Sequence, residues 1–430
     1  MFLLLNNKPI LHRVPEWFPQ ARQELIVVST RSGLGTSAFA ELARSFRHLH
    51  LVSSLDRPGL EEDLVALCRR FGVRRVLSTG EREVLPAATL RERLGLPGQD
   101  VACATAYRDK YTMKSLLTEA GIPVAPMRRL ASPADLDSFA AEAGLPVVVK
   151  RRLSGGSNGT RVLWDGDALK AFTDDWAASR IDAPDLAEAW VEGDFYHING
   201  LMRDGRIVLA QPSYQPYSDW FSVAYDAPGM SGMMPDEDPM SGRLRATAAK
   251  VVATMPAVPG VCAFQVEFFH TPDDRLVVCE TACRAGGSRM VETHEDTLGV
   301  HLHGASLLGQ AGRSDQVTIR PTGRRQGYAR FPSAHGVLRH LPRRSPLPQT
   351  LVYTATGEEG RHYDPATSLG SSVAEIVVSL TGPDTAAELL AVETWWESAV
   401  VWQDRRNPVP DRFKSVHRVR PDTRERALHV

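Results

Sequence analysis

The sequence predicts a multidomain protein of mixed α/β and α+β class. The chain has 430 residues, which is enough for two or three domains that each bury a core. Its first hundred residues alternate strand-like and helical segments, an order typical of a parallel sheet with helices on its faces. Residues 261–280 instead form two apolar runs around a short polar turn, which indicates an antiparallel hairpin.

The N-terminal region predicts a parallel, doubly wound sheet. Strands are predicted at 25–28, 49–52 and 73–77, with helices at about 36–46 and 60–70 between them. Gly33 and Gly35, with Asp56 after the next strand, approximate a dinucleotide-binding fingerprint. Short glycine turns recur wherever a strand meets a helix in such folds, so this signal alone identifies no cofactor.

Helix boundaries are clear in the segment that follows Tyr107. Asp109 is a good N-cap for a helix that ends at Gly121. Ser132, followed by a proline, predicts the start of a second helix. An apolar strand then ends at Lys150, which places a cation at a strand terminus.

A glycine-rich loop, residues 154–160, lies between two predicted strands rather than before a helix. Such a loop can form a flap whose backbone N–H groups fold over phosphates. It lacks the Gly-Lys-Ser or Gly-Lys-Thr ending of the phosphate-binding loop that precedes a helix. We therefore expect neither a nucleotide switch nor a kinase of that class.

Two glutamates mark the hairpin. If Asp273 and Asp274 form its turn, Glu267 lies directly opposite Glu280 on one face. Like charges at such a distance repel, and a divalent cation would neutralise them. Mg²⁺ prefers carboxylate oxygens and bridges them to nucleotide phosphates, so the hairpin is a candidate metal site. The alternative is a polar sheet face open to water.

Composition excludes several classes. A net charge of -1 and 23% charged residues give no bulk bias toward nucleic acid or an anionic membrane. The apolar start, Met1 to Leu5, is too short for a signal peptide or a membrane span, so a cytoplasmic location is expected. Five cysteines without metal-ligand spacing predict reduced thiols that pack in the interior.

The second half of the chain is less regular. Residues 211–240 are rich in aromatic residues, Met, Pro and Gly without clear periodicity, which predicts a long binding loop or lid. Strands are expected after Val317, followed by a final helix over 384–401. The stretch from Arg405 onward is basic and predicts a surface tail.

Taken in chain order, these pieces resemble the ATP-grasp carboxylate-amine ligases over about residues 107–302. The segments 196–200 and 279–287 are most similar to the branch of amino-acid and dipeptide ligases, carnosine synthase among them. The resemblance implies a Rossmann-like leader, a central ATP-grasp and nucleotide-binding region and a strand-rich cap that completes the ATP-grasp domain. The implied domains are 1–105, 106–315 (flap subdomain about 107–190, metal hairpin 261–287), 316–402 and a basic tail at 403–430.

The resemblance implies a nucleotide site made of two lysines, a flap and a hinge. Lys110 and Lys150 would reach the ATP phosphates as point charges. The implied flap contacts are Ser154, Gly155, Gly156, Ser157 and Gly159. The hinge would contact the adenine edge through backbone groups of Glu188, Trp190 and Val191. The carboxylate of Glu192 would contact the ribose.

The resemblance also implies the metal and the reacting groups. Glu267 and Glu280 would hold Mg²⁺, with Mn²⁺ as the alternative ion. Arg284 would steady the reacting acyl group. An oxyanion could be stabilised by Arg284 with the N–H groups of Gly286 and Gly287, and His294 is the candidate for taking the proton of the amine.

The implied function is ATP-dependent formation of an amide or peptide bond through an acyl phosphate, with release of ADP and phosphate. The substrates would be amino acids, or an amino acid and a small acid, and a lid over 154–160 or 214–234 would exclude water. No nucleic-acid or membrane partner is expected, and a homodimer is considered. Two departures from the family stand out: Ala282 replaces a metal-binding asparagine, and Phe195 replaces an acid.

Two other functions remain open on the sequence alone. A non-catalytic ATP-binding module would keep Lys110, Lys150 and the hinge but release no ADP in response to substrates. An NAD(P)-dependent oxidoreductase would use Gly33, Gly35 and Asp56 and leave the second half of the chain unexplained.

Overall fold

The computed structural model describes residues 1–366 and 371–404. In chain order the strands are β1 (Phe2–Asn6), β2 (Leu25–Thr30), β3 (His48–Val52), β4 (Arg75–Ser78), β5 (Met127–Arg129), β6 (Val147–Lys150), β7 (Arg161–Leu163), β8 (Leu186–Ala189), β9 (Asp194–Arg203), β10 (Arg206–Gln215), β11 (Gly229–Met233), β12 (Val261–His270), β13 (Leu276–Ala282), β14 (Arg325–Pro332), β15 (Gly336–His340), β16 (Thr350–Ala355), β17 (His362–Tyr363), β18 (Ser372–Leu380) and β19 (Val401–Gln403).

The helices are α1 (Val14–Trp17), α2 (Ala21–Glu24), α3 (Phe39–Ser45), α4 (Leu60–Phe71), α5 (Val84–Leu94), α6 (Val101–Arg108), α7 (Lys110–Glu119), α8 (Pro133–Ala143), α9 (Gly166–Ala177), α10 (Asp219–Ala224), α11 (Pro239–Thr254), α12 (Met290–Leu298), α13 (Leu302–Gln310) and α14 (Thr385–Ala399). Short 3₁₀ turns cover Ser32–Leu34 and Ser314–Gln316. The chain divides into two compact units, of which the first comprises 1–155, 159–212 and 236–324 and the second comprises 156–158, 213–235 and the described residues from 325 onward.

The first unit begins with the predicted parallel sheet. Its strand order is β3-β2-β1-β4, and every neighbouring pair is parallel. Leu3 and Leu5 of β1 pack in one buried cluster and Leu4 packs in another, because successive side chains point to opposite faces of a strand. β1, one of the two inner strands, was not predicted, because its leucine run was considered only as a targeting segment. The predicted strands and helices of this region are confirmed.

The glycine turn of the leader has a packing explanation. A Cβ atom at Gly33 would lie 2.3 Å from the Ser29 Oγ atom and 2.8 Å from the Asn6 Nδ2 atom. Asp56, the other half of the dinucleotide fingerprint, is exposed. Close approach of the turn to β1 and β2 therefore accounts for the glycine without a bound dinucleotide.

The segment from Asp109 folds into a small sheet with two helices. Its strand order is β5-β8-β6-β7, and all pairs are antiparallel. Ser132 and Asp135 form a complete capping box at the start of α8, as Ser132 predicted. The 154–160 loop joins the antiparallel strands β6 and β7, which confirms that it lies between two strands.

The predicted opposition of Glu267 and Glu280 is confirmed, but the predicted two-residue turn is wrong. The strands end at His270 and resume at Leu276, and Thr271 donates its N–H to the Arg275 carbonyl at 2.9 Å. A β-bulge then leaves Cys279 without a partner in the ladder. The longer turn and the bulge offset each other, so Glu267 still pairs with Glu280.

The predicted irregular loop at 211–240 is also wrong. It contains the end of β10, the whole of α10 and the whole of β11. β10 passes from the first unit into the second, and in the second unit β11 pairs with β14. The glycines and methionines of β11 give it low strand propensity, but its five residues are all buried, so packing decides its structure.

The second unit contains the strands that were predicted after Val317 and the final helix. Its larger sheet continues from β11 through β14 and β18 to β16, and a smaller one has the order β17-β15-β19. Phe331 of β14 stacks on Trp396 of α14 with ring centroids 3.8 Å apart. The predicted basic tail lies outside the described residues. Across residues 1–366 and 371–404, no helix has the length and apolar character needed to cross a membrane.

We predict that Gly232→Val destabilises the protein by about 1 to 3 kcal/mol, because overpacking forces neighbours apart. A Cβ atom at Gly232 would lie 2.7 Å from the Thr385 Cγ2 atom. Gly242→Ala is the control, since that helical glycine has open space around it and alanine favours a helix by roughly 0.5 to 1 kcal/mol. Urea unfolding measures both variants, and equal stabilities would contradict the packing explanation of β11.

Candidate active site

The first predicted phosphate lysine is fixed at the start of α7. The Asp109 carboxylate caps this helix by accepting the N–H groups of Tyr111 and Thr112, and it also forms an ion pair with Arg152. Lys110 follows directly, and its Nζ atom donates to the backbone carbonyl of Ser154 at 2.6 Å. The helix cap thus places an ammonium group at the base of the 154–160 flap.

Lys110 also contacts the candidate metal site. Its Nζ atom lies 3.4 Å from the Oε2 atom of Glu280. The Gln265 amide donates to the other candidate metal ligand, Glu267, at 2.9 Å. The structure therefore brings together a flap carbonyl, a phosphate lysine and the pair of opposed carboxylates within the first unit.

The second predicted lysine shares its partner with a third. Lys150 ends β6, and its Nζ atom lies 2.7 Å from the Glu188 Oε2 atom. Lys114 of α7 lies 2.7 Å from the same oxygen atom. Sequence reasoning missed Lys114, although its i,i+4 spacing from Lys110 on α7 was a usable signal.

One carboxylate thus faces two ammonium groups in the interior. Burial opposes ionisation of Glu188, but the charges of Lys114 and Lys150 outweigh it and lower the pKa of Glu188 to about 2. Burial lowers the pKa of Lys114, whereas for Lys150 the attraction of Glu188 exceeds the effect of burial and raises the pKa. With all three groups charged, the cluster carries one net positive charge.

Both predicted phosphate lysines are buried, although each lies at the end of a helix or strand. Lys110 is 6% exposed and Lys150 is 8% exposed. Position at the end of an element suggested solvent contact, but ion pairs with Glu280 and Glu188 hold both side chains inward. Their charge is therefore held in a low-dielectric setting, where it interacts more strongly with a phosphate than in water.

The predicted hinge, residues 188–191, begins at the end of β8, which lies between β5 and β6 in its sheet. The Trp190 N–H group donates to the Pro146 carbonyl at 3.2 Å, so a contact from Trp190 to a base would use its carbonyl. Glu192, the predicted ribose contact, is exposed. Phe195 is 6% exposed and packs on Phe269, so it is a core residue at the position where the sequence resemblance implies an acid.

Hydrogen bonds to three residues fix the Arg284 side chain. Its guanidinium donates to Glu81 and to the Gln265 side chain, and Nη1 donates to the Ala285 carbonyl at 3.1 Å. Glu81 also forms an ion pair with Arg108. Burial opposes its ionisation, but Arg284 and Arg108 outweigh that effect and lower the pKa of Glu81 to about 2.

Glu81 was missed by sequence reasoning. It comes shortly after β4, at the carboxyl edge of the leader's parallel sheet, where ligand sites of such sheets form. An acidic residue at that edge was the available signal. Its contact with Arg284 joins the leader to the reacting side of the site.

The two glycines that were predicted to stabilise an oxyanion differ in the space around them. A Cβ atom at Gly286 would lie 2.2 Å from the Met290 Sδ atom and 2.7 Å from the Asn199 Oδ1 atom, so no larger residue fits there. Gly287 has open space where a side chain would be. Their roles as N–H donors to an oxyanion stay predictions.

His294 lies inside α12. It is 1% exposed, and burial lowers its pKa to about 4, so it is neutral near pH 7. Its Nδ1 atom contacts the Met290 carbonyl at 2.7 Å and must therefore carry the proton. Within residues 1–366 and 371–404, no hydrogen bond or ion pair joins His294 to Arg284 or the two glutamates, and its proposed proton transfer stays a prediction.

The two carboxylates fit a cation that retains water and binds phosphates. In the described part of the chain, no group of three or more His, Cys, Asp or Glu side chains could hold a metal ion alone. Ala282, 4% exposed, supplies no oxygen from its side chain. Mg²⁺ often uses only one or two carboxylates and completes its shell with water and phosphate oxygens, so Glu267 and Glu280 suit it when ATP is present.

Comparison with known proteins agrees with this geometry. Residues 109–187 match the family described as the carbamoyl-phosphate synthase L chain, ATP binding domain. The L-arginine-specific L-amino acid ligase of Bacillus subtilis is 23% identical over 335 residues, which cover 74% of this chain and 78% of that protein.

Solved structures agree as well. The L-amino acid ligase from Bacillus licheniformis superimposes with a TM-score of 0.67 at 16% identity, covering 94% of this chain and 98% of that one. The biotin carboxylase domain of 2-oxoglutarate carboxylase from Hydrogenobacter thermophilus, solved with MgADP, gives a TM-score of 0.62 at 17% identity, with coverage of 93% and 90%.

The fold is therefore that of the ATP-grasp proteins, as the sequence resemblance predicted. Among proteins of that fold, the chain is similar to L-amino acid ligases.

We predict that Glu188→Gln destabilises the nucleotide-free protein by about 3 to 5 kcal/mol, because it leaves Lys114 and Lys150 facing each other in the interior without a carboxylate. Glu142→Gln is the control, since it breaks an exposed pair with Arg128 and should cost less than about 1 kcal/mol. Urea unfolding gives both values. Equal small losses would show that the buried cluster is not an electrostatic constraint.

Proposed function

We propose that this protein joins an amino acid to a second amino acid or a small amine through ATP-dependent activation of its carboxylate. The observation that carries the proposal is the contact of Lys110 with both the Ser154 carbonyl and Glu280, whose strand neighbour is Glu267. This arrangement gathers a flap, a phosphate lysine and two candidate metal ligands.

The chemistry requires stabilisation of negative charge. A carboxylate oxygen of the acid takes the γ-phosphoryl group of ATP, and ADP leaves. The amine nitrogen then attacks the acyl carbon, phosphate leaves and the amine loses a proton. Lys110, Lys114 and Lys150 offset the repulsion between the two anionic reactants, since they are fixed before the substrates arrive.

The metal adds charge neutralisation. Mg²⁺ bound at Glu267 and Glu280, or Mn²⁺ in its place, would supply positive charge next to the phosphates. The remaining steps belong to the chain's own residues. We propose that Arg284, fixed by Glu81 and Gln265, orients the acyl group, and that the N–H groups of Gly286 and Gly287 stabilise the oxyanion.

The nucleotide contacts are proposed on the same basis. The flap residues Ser154, Gly155, Gly156, Ser157 and Gly159 would contribute N–H groups to the phosphates, and positive φ angles at Gly156, Ser157 and Gly159 support a sharply curved flap. The hinge would contact adenine through the Trp190 carbonyl and backbone groups of Glu188 and Val191, with Glu192 at the ribose.

The wider assignments are proposals too. We propose domain boundaries at residues 105, 315 and 402. We also propose that closure of the 154–160 flap excludes water from the acyl phosphate. A cytoplasmic location and a homodimer are also proposed, and the biotin carboxylase neighbour is described as a dimer. The named relatives act on L-amino acids, which supports amino-acid substrates here.

A non-catalytic ATP-binding protein is the second candidate, and Ala282 favours it because a side-chain oxygen ligand is absent at that position. Such a protein would bind ATP but would not release ADP in response to substrates. The two candidates therefore separate in one assay.

We predict that pairs of L-amino acids stimulate release of ADP and phosphate in equal amounts, with no AMP. A screen of amino acids by coupled ADP detection and mass spectrometry of the products makes the measurement. Production of AMP and pyrophosphate would refute the acyl-phosphate route. Substrate-independent ATP binding without ADP release across the screen would favour the non-catalytic candidate.

In the same assay, Lys150→Met and Lys110→Met should each weaken ATP binding by about 1.5 to 3 kcal/mol, because each removes a charged phosphate contact while keeping an apolar stem. Lys170→Met is the control, since Lys170 is exposed and pairs with Asp174 of its own helix. Thermal melts verify that the variants are folded. Unchanged ATP affinity in both test variants would refute their assignment.

A further inference from the structure

A cavity of about 290 Å³ lies beside β4 in the first unit. Its lining includes Arg75, Arg91, Gln99, Gln310 and Ser314, together with Cys262, Cys283 and Arg284 from the hairpin segment 261–287. None of the lining residues belongs to the flap, and neither Glu267 nor Glu280 lines the cavity. The volume is near the lower end of the roughly 300 to 1,000 Å³ typical of ligand pockets, so the cavity suits a ligand smaller than a nucleotide.

Arg91 brings a buried positive charge to this cavity. It is 3% exposed, and its Nε and Nη2 atoms donate to the Val76 carbonyl at 3.0 and 2.6 Å. Nη1 donates to the Gln99 carbonyl at 3.1 Å and Nη2 to the Gln310 side chain at 3.2 Å. All of these acceptors are neutral, so they orient the guanidinium without balancing its charge.

Arg75 adds a second positive charge. Its Nη1 atom contacts the Gln310 carbonyl at 3.4 Å, and its charge opposes that of Arg91. Burial lowers the pKa of Arg91 to about 10, and the charge of Arg75 acts in the same direction. Throughout residues 1–366 and 371–404, neither arginine forms an ion pair with a carboxylate.

The rest of the cavity wall offers no compensation. None of its lining residues is an aspartate or a glutamate. Arg284 also reaches the wall, but unlike Arg75 and Arg91 it forms an ion pair, with Glu81. A buried charge without a partner is costly, and proteins normally pair it or neutralise it. Arg91 is therefore a buried exception in this region, the half-buried Arg75 adds a like charge beside it, and an anion would balance both.

Two glycines keep the guanidinium groups at the wall. A Cβ atom at Gly98 would lie 2.8 Å from the Arg91 Cδ atom, and one at Gly312 would lie 2.8 Å from the Arg75 Nη2 atom. Both glycines have positive φ angles, of 138° and 76°. A larger residue at Gly98 would displace Arg91 from the cavity wall, and one at Gly312 would displace Arg75.

We propose that this cavity binds a small oxyanion, a carboxylate or a phosphate group, between Arg75 and Arg91. Guanidinium groups match both anions in geometry and charge. The two arginines are not among the proposed ATP-binding residues, although Arg284, which is proposed to orient the acyl group, also reaches the cavity wall. The proposed binding of an anion does not depend on the ligase activity.

The test compares the melting temperatures of the full chain in inorganic phosphate, in acetate and in chloride at matched ionic strength, without nucleotide or Mg²⁺. A ligand that binds only the folded state stabilises it, so we expect a saturating oxyanion to raise the melting temperature by about 2 °C or more relative to chloride. Phosphate alone, acetate alone or both can give the rise, and the pattern identifies the preferred anion.

Three variants locate the effect. Arg75→Met and Arg75→Glu should lose the rise, because the first removes a charge and the second supplies an internal carboxylate. Arg74→Met is the control: this neighbouring arginine is exposed, does not line the cavity and should leave the rise intact. Lys150→Met should also keep it, which separates the cavity from phosphate bound at the nucleotide site.

Two results would overturn the proposal. One is an absence of stabilisation of the wild-type protein by both anions. The other is an equal rise in wild type and Arg75→Met. Loss of the phosphate effect in Lys150→Met but not in Arg75→Met would place the bound anion at the ATP site instead.

Discussion

The position of Glu188 between Lys114 and Lys150 is the constraint on which the rest of the site depends. A single oxygen atom lies 2.7 Å from both ammonium groups. The three residues come from β8, α7 and β6, so the ion pairs fix one helix against two neighbouring strands. Without the carboxylate, two buried like charges would repel each other, so we expect its loss to destabilise the fold.

The same cluster supports the proposed binding of an anionic ligand at this site. Its charges do not cancel, and Lys110 adds a further ammonium group that contacts Glu280 at the hairpin. The positive charge is therefore already in place before a nucleotide arrives. Binding of the nucleotide phosphates would then require little rearrangement of the protein. A bound cation at Glu267 and Glu280 would complete the charge balance by relieving the repulsion between two opposed carboxylates.

Local signals predicted much of this arrangement. Asp109 caps α7 and Ser132 begins α8, because capping depends on a few adjacent residues. The opposition of Glu267 and Glu280 was also predictable, but only because two features offset each other: the turn is longer than expected, and the bulge at Cys279 restores the register. A count of residues between two strands cannot reveal such a compensation.

The features that sequence reasoning missed depend on packing between distant segments. Nothing near Glu188 in the sequence indicates that its side chain meets Lys114, which comes 74 positions earlier in the numbering. Glu81 meets Arg284 from the other end of the first unit in the same way. The strand β11 forms despite its glycines and methionines because its neighbours bury it, so local propensity gave the wrong answer.

The most direct test of the account is the Mg²⁺ dependence of ADP binding, measured by calorimetry for wild type and Glu280→Gln. The account predicts that Mg²⁺ tightens ADP binding to wild type, and that the variant, which lacks one of the two opposed carboxylates, loses most of this gain. The variant should still bind ADP without Mg²⁺, since the three buried lysines remain. Equal tightening by Mg²⁺ in both proteins would contradict the assignment of the hairpin as the metal site.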